Sequence, residues 1–110
     1  MEEKTLREVC ETLGVSRRAI QGYEKAGLVS ASGKNERGYL LYDKSCQEKI
    51  RQILLYRKMG FKVKEIKRLF DVPEAELKIT LENQVIKMAE KQQEIEILIK
   101  KVYELINQVG

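Results

Sequence analysis

The 110-residue chain has no histidine and no tryptophan, only two cysteines and a single proline. Cys10 and Cys46 are its only soft ligands, so neither a zinc site nor a His-based catalytic relay is expected, and no metal or other cofactor is called for. No Gly-rich phosphate loop is present, and the acidic residues are scattered at helical spacing with no pair set off in an apolar pocket. The pattern is not that of an enzyme. No stretch approaches the roughly 18 uninterrupted apolar residues of a membrane span. Met1 to Lys4 is charged and runs straight into an amphipathic segment, unlike a secretory signal. A cytoplasmic location is therefore expected, with no membrane partner and with both thiols reduced, as small core residues.

Scarce proline and glycine among long runs of helix formers predict a mainly helical protein. Its charge is uneven. Residues 1–70 hold 16 Lys and Arg against 9 Asp and Glu, whereas residues 71–110 hold 5 against 8. A basic front half suits a polyanionic partner.

The first helix is expected from about Thr5 to Leu13, with Thr5 and Glu8 at the spacing of a capping box and Leu6, Val9, Cys10 and Leu13 on one buried face. Gly14 should end it in a left-handed cap. Ser16 then caps a second helix, Arg17 to Ala26, closed by Gly27. Two short helices joined by Gly-Val-Ser have helix-turn-helix spacing. Ala19, Ile20 and Tyr23 face inward on the second helix, which leaves Arg17, Arg18, Gln21 and Lys25 outside. Gly33 and Asn35 mark a turn ahead of the β-prone run Tyr39–Tyr42, together a small hairpin wing. Asp43 should cap a third helix to about Met59, stopped by Gly60 with Phe61 as an apolar residue past the cap. A fourth spans about Val63 to Phe70, with Val63, Ile66, Leu69 and Phe70 inward. Pro73 marks a boundary.

From about Glu74 to Gln108 the helical pattern is unbroken. Leu81, Val85, Met88, Gln92, Ile95, Ile99, Val102, Ile106 and Val109 alternate four and three residues apart, a heptad seam over four repeats. A lone helix would leave this seam in water, so it calls for a partner. Gln92 is a polar interruption that can set register, and Leu98 and Leu105 widen the stripe toward the C-terminus.

Four blocks, Gly14–Ile20, Tyr23–Leu28, Gly38–Tyr42 and Gly60–Ile66, resemble in order and spacing the MerR family of bacterial transcription regulators. The resemblance implies an all-α fold with a small β-hairpin wing: a winged helix-turn-helix over residues 1–72, then a dimerisation helix over 73–110 in an antiparallel coiled coil. It also implies a homodimer on double-stranded DNA that distorts a promoter for RNA polymerase, in a short form lacking a C-terminal effector domain. Three positions depart from the family pattern: Gln21 and Gly22 replace an Arg and an aromatic, and Leu40 replaces the Arg of the wing.

Arg17 and Arg18 can read guanine edges and Gln21 adenine, with Ser16 and Lys25 beside them. Lys34, Arg37 and Tyr39 on the wing suit phosphate or minor-groove contact. By resemblance Tyr23 and Lys62 touch phosphate, with Lys62 and Lys64 in a second wing. The expected target is an inverted repeat, one recognition helix per half-site. Two alternatives stand beside it: a MerR-like protein-binding adaptor or chaperone modulator, and a nonspecific architectural DNA binder.

Overall fold

The computed structural model describes residues 3–110. Met1 and Glu2, which open the expected 1–72 unit, lie outside the described residues. The chain divides into two compact units, Met1–Asp71 and Val72–Gly110.

In the first unit a short strand β1 (Lys4–Thr5) leads into α1 (Leu6–Leu13) and α2 (Arg17–Lys25). Two more strands, β2 (Gly33–Lys34) and β3 (Leu40–Tyr42), precede α3 (Lys44–Lys58) and α4 (Val63–Asp71). Helices this short are marginal alone, so their ends and one buried face must hold them. Thr5 and Glu8 form the expected capping box: Glu8 N–H donates to Thr5 Oγ1 at 3.3 Å, and Thr5 N–H donates to Glu8 Oε1 at 2.9 Å. Gly14 closes α1 at φ 65°. Ser16 Oγ accepts the Ala19 N–H at 3.0 Å and starts α2. Past its end Gly27 sits at φ 80° and Leu28 N–H returns to Tyr23 C=O at 2.9 Å, which turns Leu28 and Val29 into the core.

The wing differs from the expected two-stranded hairpin. Lys4 and Thr5 pair with Tyr42 and Leu41, so β3 lies between β1 and β2 in a three-stranded antiparallel sheet. A two-residue strand ahead of a helix cap is too short to show alternation. Gly33 lies in β2, and the turn is Asn35–Gly38. Asn35 C=O accepts Gly38 N–H at 3.0 Å, and its Oδ1 accepts Arg37 and Tyr39 N–H at 2.9 and 3.0 Å. Gly38 takes φ 83°, a conformation a side chain would strain.

Asp43 Oδ1 accepts Cys46 N–H at 2.9 Å and starts α3. At its far end Arg57, exposed as a residue, donates from Nη1 to Phe61 C=O at 3.0 Å. The buried Phe61 ring meets Tyr56 edge-on, with centroids 5.9 Å apart. α1 packs on α2 and β3, and α3 packs on α4 and β3. Val9, Ile20, Tyr42, Ile50, Ile53 and Ile66 fill the interior with no exposed surface. Full burial of each aliphatic among them contributes about 1.5–3 kcal/mol. Cys10 and Cys46 are half-buried at its margin, and the Cys46 thiol donates to Ser30 C=O at 3.1 Å. Burial, with Asp43 nearby, pushes that thiol above its usual range.

The second unit is one helix, α5 (Glu74–Val109), of 36 residues and so about 54 Å long. Pro73 precedes it, and none of its residues is buried.

Two caps carry charge. The backbone hydrogen bond from Cys46 holds the Asp43 carboxyl below its ordinary range, and that from Thr5 does the same for Glu8. A depressed folded-state pKa means that this contribution is present above the ordinary carboxylate range and is lost as pH falls through the folded value. Asp43→Asn with Glu8→Gln keeps side-chain oxygen acceptors but removes both titrations. Thermal melts followed by circular dichroism should show a shallower loss of stability on acidification than in the wild type; parallel curves would refute the assignment.

Candidate nucleic-acid interface

Helix α2 owes its orientation to two residues. Ile20 has no exposed surface and Tyr23 keeps 8%. With that edge inward, Arg17, Gln21 and Lys25 follow one another on successive turns of the exposed side, with Arg18 beside them. Ser16 is exposed at the helix start. Gly22 shares the outer face with ordinary helical backbone, and apart from its own stretch of helix nothing lies within 4 Å of where its Cβ would stand. It costs about 0.5–1 kcal/mol relative to Ala and leaves bare backbone on the face that also carries Arg17 and Lys25.

Only one residue of α2 is acidic, and it is tied down. Tyr42, buried at the end of β3, donates its hydroxyl to Glu24 Oε1 at 3.0 Å. Burial, reinforced by the Glu24 hydrogen bond, pushes the phenol well above its usual range, so it stays a neutral donor. Beside it Gln47, also buried, donates from Nε2 to Tyr42 C=O at 2.8 Å. One residue thus joins α2 to the wing through its hydroxyl and the wing to α3 through its carbonyl.

The wing holds Lys34, Arg37 and Tyr39 outward, Tyr39 with 58% of its surface exposed. A cleft of about 540 Å³ separates wing from helix, lined by Thr5, Leu6, Arg7, Arg17, Gln21, Gly38, Tyr39 and Leu40. It brings Arg17 and Gln21 together with Tyr39. Arg18, Lys25, Lys34, Arg37 and Lys62 do not line it. Lys62 stands exposed ahead of α4, its N–H donating to Glu65 Oε1 at 2.8 Å. Among the described residues, no group of three His, Cys, Asp or Glu is placed to hold a metal ion.

Two features carry no signal in the sequence pattern. Arg7 reads as a solvated helix residue, and it reaches the cleft because β1 pairs with β3 and sets the start of α1 against the wing. The Tyr42–Glu24 pair spans 18 positions, and nothing local announces it.

On α5 the seam lies open. Val85, Met88, Ile95, Ile99, Val102 and Ile106 are each about half exposed or more, Gln92 is exposed among them, and Leu81 is partly exposed.

Tyr42→Phe would remove the hydroxyl and keep the ring. Loss of a hydrogen bond to a carboxylate should lower unfolding stability by about 1–2 kcal/mol, measured by urea titration. A variant as stable as the wild type would mean that the pair joins nothing.

Comparison with known proteins agrees with this geometry. Residues 4–72 match the family described as MerR HTH family regulatory protein. The chain is 31% identical over 97 residues to the HTH-type transcriptional activator Mta of Bacillus subtilis (strain 168), covering 88% of this chain and 38% of that one. It therefore spans well under half the length of that relative. The crystal structure of MtaN, the N-terminus of the Bacillus subtilis multidrug transporter activator, superposes with a TM-score of 0.73 at 29% identity, covering 94% of this chain and 97% of that one. HiNmlR, a MerR family regulator lacking the sensor domain and bound to promoter DNA, shares the fold with a TM-score of 0.74 at 20% identity, covering 89% and 79%. These relatives are described as activators or regulators. With its helix-turn-helix, three-stranded wing and matched residues 4–72, the chain belongs to the MerR HTH family of regulatory proteins.

Proposed function

We propose that this chain is a sequence-specific, DNA-binding transcription regulator that works as a homodimer in the cytoplasm. The observation that carries the reading is the outer face of α2, where Arg17, Arg18, Gln21 and Lys25 are all exposed and the single carboxylate, Glu24, is bound to Tyr42. An α-helix fits the major groove, and Arg and Gln are suited to the two-bond patterns of guanine and adenine edges. Ser16 at the cap of α2, Tyr23 within it, Lys34, Arg37 and Tyr39 from the wing, and Lys62 ahead of α4 contact the backbone and position the helix. Residues 1–72 form the DNA-binding domain in this reading.

Residues 73–110 form the dimerisation helix. An exposed seam of alternating four and three spacing is unfavourable in water, and a second copy of the same helix, antiparallel, covers it. Two recognition helices then meet an inverted repeat, one per half-site. The further step follows from the family resemblance: the dimer distorts promoter DNA, as deformation energy allows, and so changes its use by RNA polymerase. No helix among the described residues is long and apolar enough to cross a membrane.

Arg17→Ala with Arg18→Ala tests the recognition face. The double variant should lose binding to duplexes recovered by selection from a randomised pool, while its sedimentation as a dimer is unchanged. Binding at wild-type strength would remove α2 from the interface, and failure of the wild type to retain any duplex would turn the search to protein partners. For the seam, Ile95→Lys with Ile99→Lys should convert the dimer to a monomer in sedimentation and weaken DNA binding. A dimer that survives two buried lysines would place the interface elsewhere.

A further inference from the structure

We propose that the cleft between the start of α1, helix α2 and the wing seats the phosphodiester ridge that separates the major groove from its neighbouring minor groove, and that Arg7 grips a phosphate of that ridge. The inference rests on the DNA-binding reading and adds to it a surface that the helix-turn-helix pattern does not contain.

The geometry of the duplex supplies the first reason. A helix in the major groove and a wing reaching past the groove edge stand on either side of one backbone strand. Whatever lies between helix and wing therefore faces phosphate and deoxyribose. The cleft lies there, and no lining residue is acidic. Arg7 suits phosphate oxygens, and Leu6 and Leu40 offer apolar contact to the sugars, while Arg17 and Gln21 bound the cleft on its α2 side.

The state of Arg7 supplies the second. Its side chain is 81% exposed and its ion-pair partner is Glu11, Nε to Oε2 at 3.5 Å, with Glu11 67% exposed. Pairs this exposed hold little energy, so the guanidinium is easily exchanged onto phosphate, which it can clasp with two charge-assisted bonds. Its backbone, by contrast, is well placed. The capping box of Thr5 and Glu8 and the pairing of Thr5 with Leu41 hold the first turn of α1 beside the wing. An anchored backbone with an uncommitted cation is what a phosphate contact needs. Arg7 then adds affinity without sequence preference.

The test is the salt dependence of binding to a labelled mixed-sequence duplex. Each phosphate contact contributes about 0.9 to the slope of log K against log salt, so losing one per protomer of a dimer lowers it by about 1.8. Arg7→Ala should show that drop with weaker binding and an unchanged melting curve. Arg7→Lys should keep the slope, and Glu11→Gln, which removes only the ion-pair partner, should bind as the wild type does. The base preference recovered by selection should be the same for Arg7→Ala as for wild type. An Arg7→Ala slope equal to wild type, while Arg17→Ala with Arg18→Ala abolishes binding, would overturn the proposal and leave the DNA-binding reading intact. A changed base preference would overturn the phosphate role. A wild-type chain that binds no duplex would overturn both.

Discussion

Tyr42 has no exposed surface, so its polar groups must find partners inside the protein. Its hydroxyl reaches Glu24 on α2, and its carbonyl receives Gln47 from α3. Its backbone also closes the pairing of β3 with Lys4 of β1. Helix α2, the wing and α3 thus meet at one residue, and misplacing any of them would leave a polar atom buried without a partner, at about 1–3 kcal/mol. The relation of wing to helix therefore rests on the core and not on the loops between them. The same contact keeps the one carboxylate of α2 engaged, so the outer face of that helix presents cations and amides.

Around that point the structure is held by local accounts settled one helix at a time. Thr5, Ser16 and Asp43 each give a side-chain oxygen to an orphan N–H, which stabilises the start of each helix. Left-handed glycines at 14, 27, 38 and 60 turn the chain where a side chain would be strained. None of these would hold helices of eight or nine residues alone. They let the core do so, by removing the cost of open backbone at the ends.

The two units obey different physics. Among the described residues of the first, six side chains are wholly enclosed; in the second, none is even buried. A 36-residue helix satisfies its own backbone, but its apolar seam has no cover within the chain. Charge divides in the same way, with the basic excess in the front unit and an acidic excess in α5.

The chain's local chemistry was enough to announce the helices, their caps, the helix-turn-helix spacing and the seam of α5. Each depends on residues within one or two turns of each other: Thr5 with Glu8, Ser16 with Ala19, Ile95 with Ile99. Arg17, Arg18, Gln21 and Lys25 were legible as an outer face for the same reason, because Ile20 and Tyr23 fix the rotation of their helix. Tertiary structure alone decided the third strand of the wing, the Tyr42–Glu24 link and the place of Arg7. Lys4–Thr5 is too short to alternate, and its pairing with β3 brings together residues more than thirty positions apart. Periodicity reports which way a side chain faces within its own element. It holds no information about what a neighbouring element sets against that face, which is settled only when the core closes.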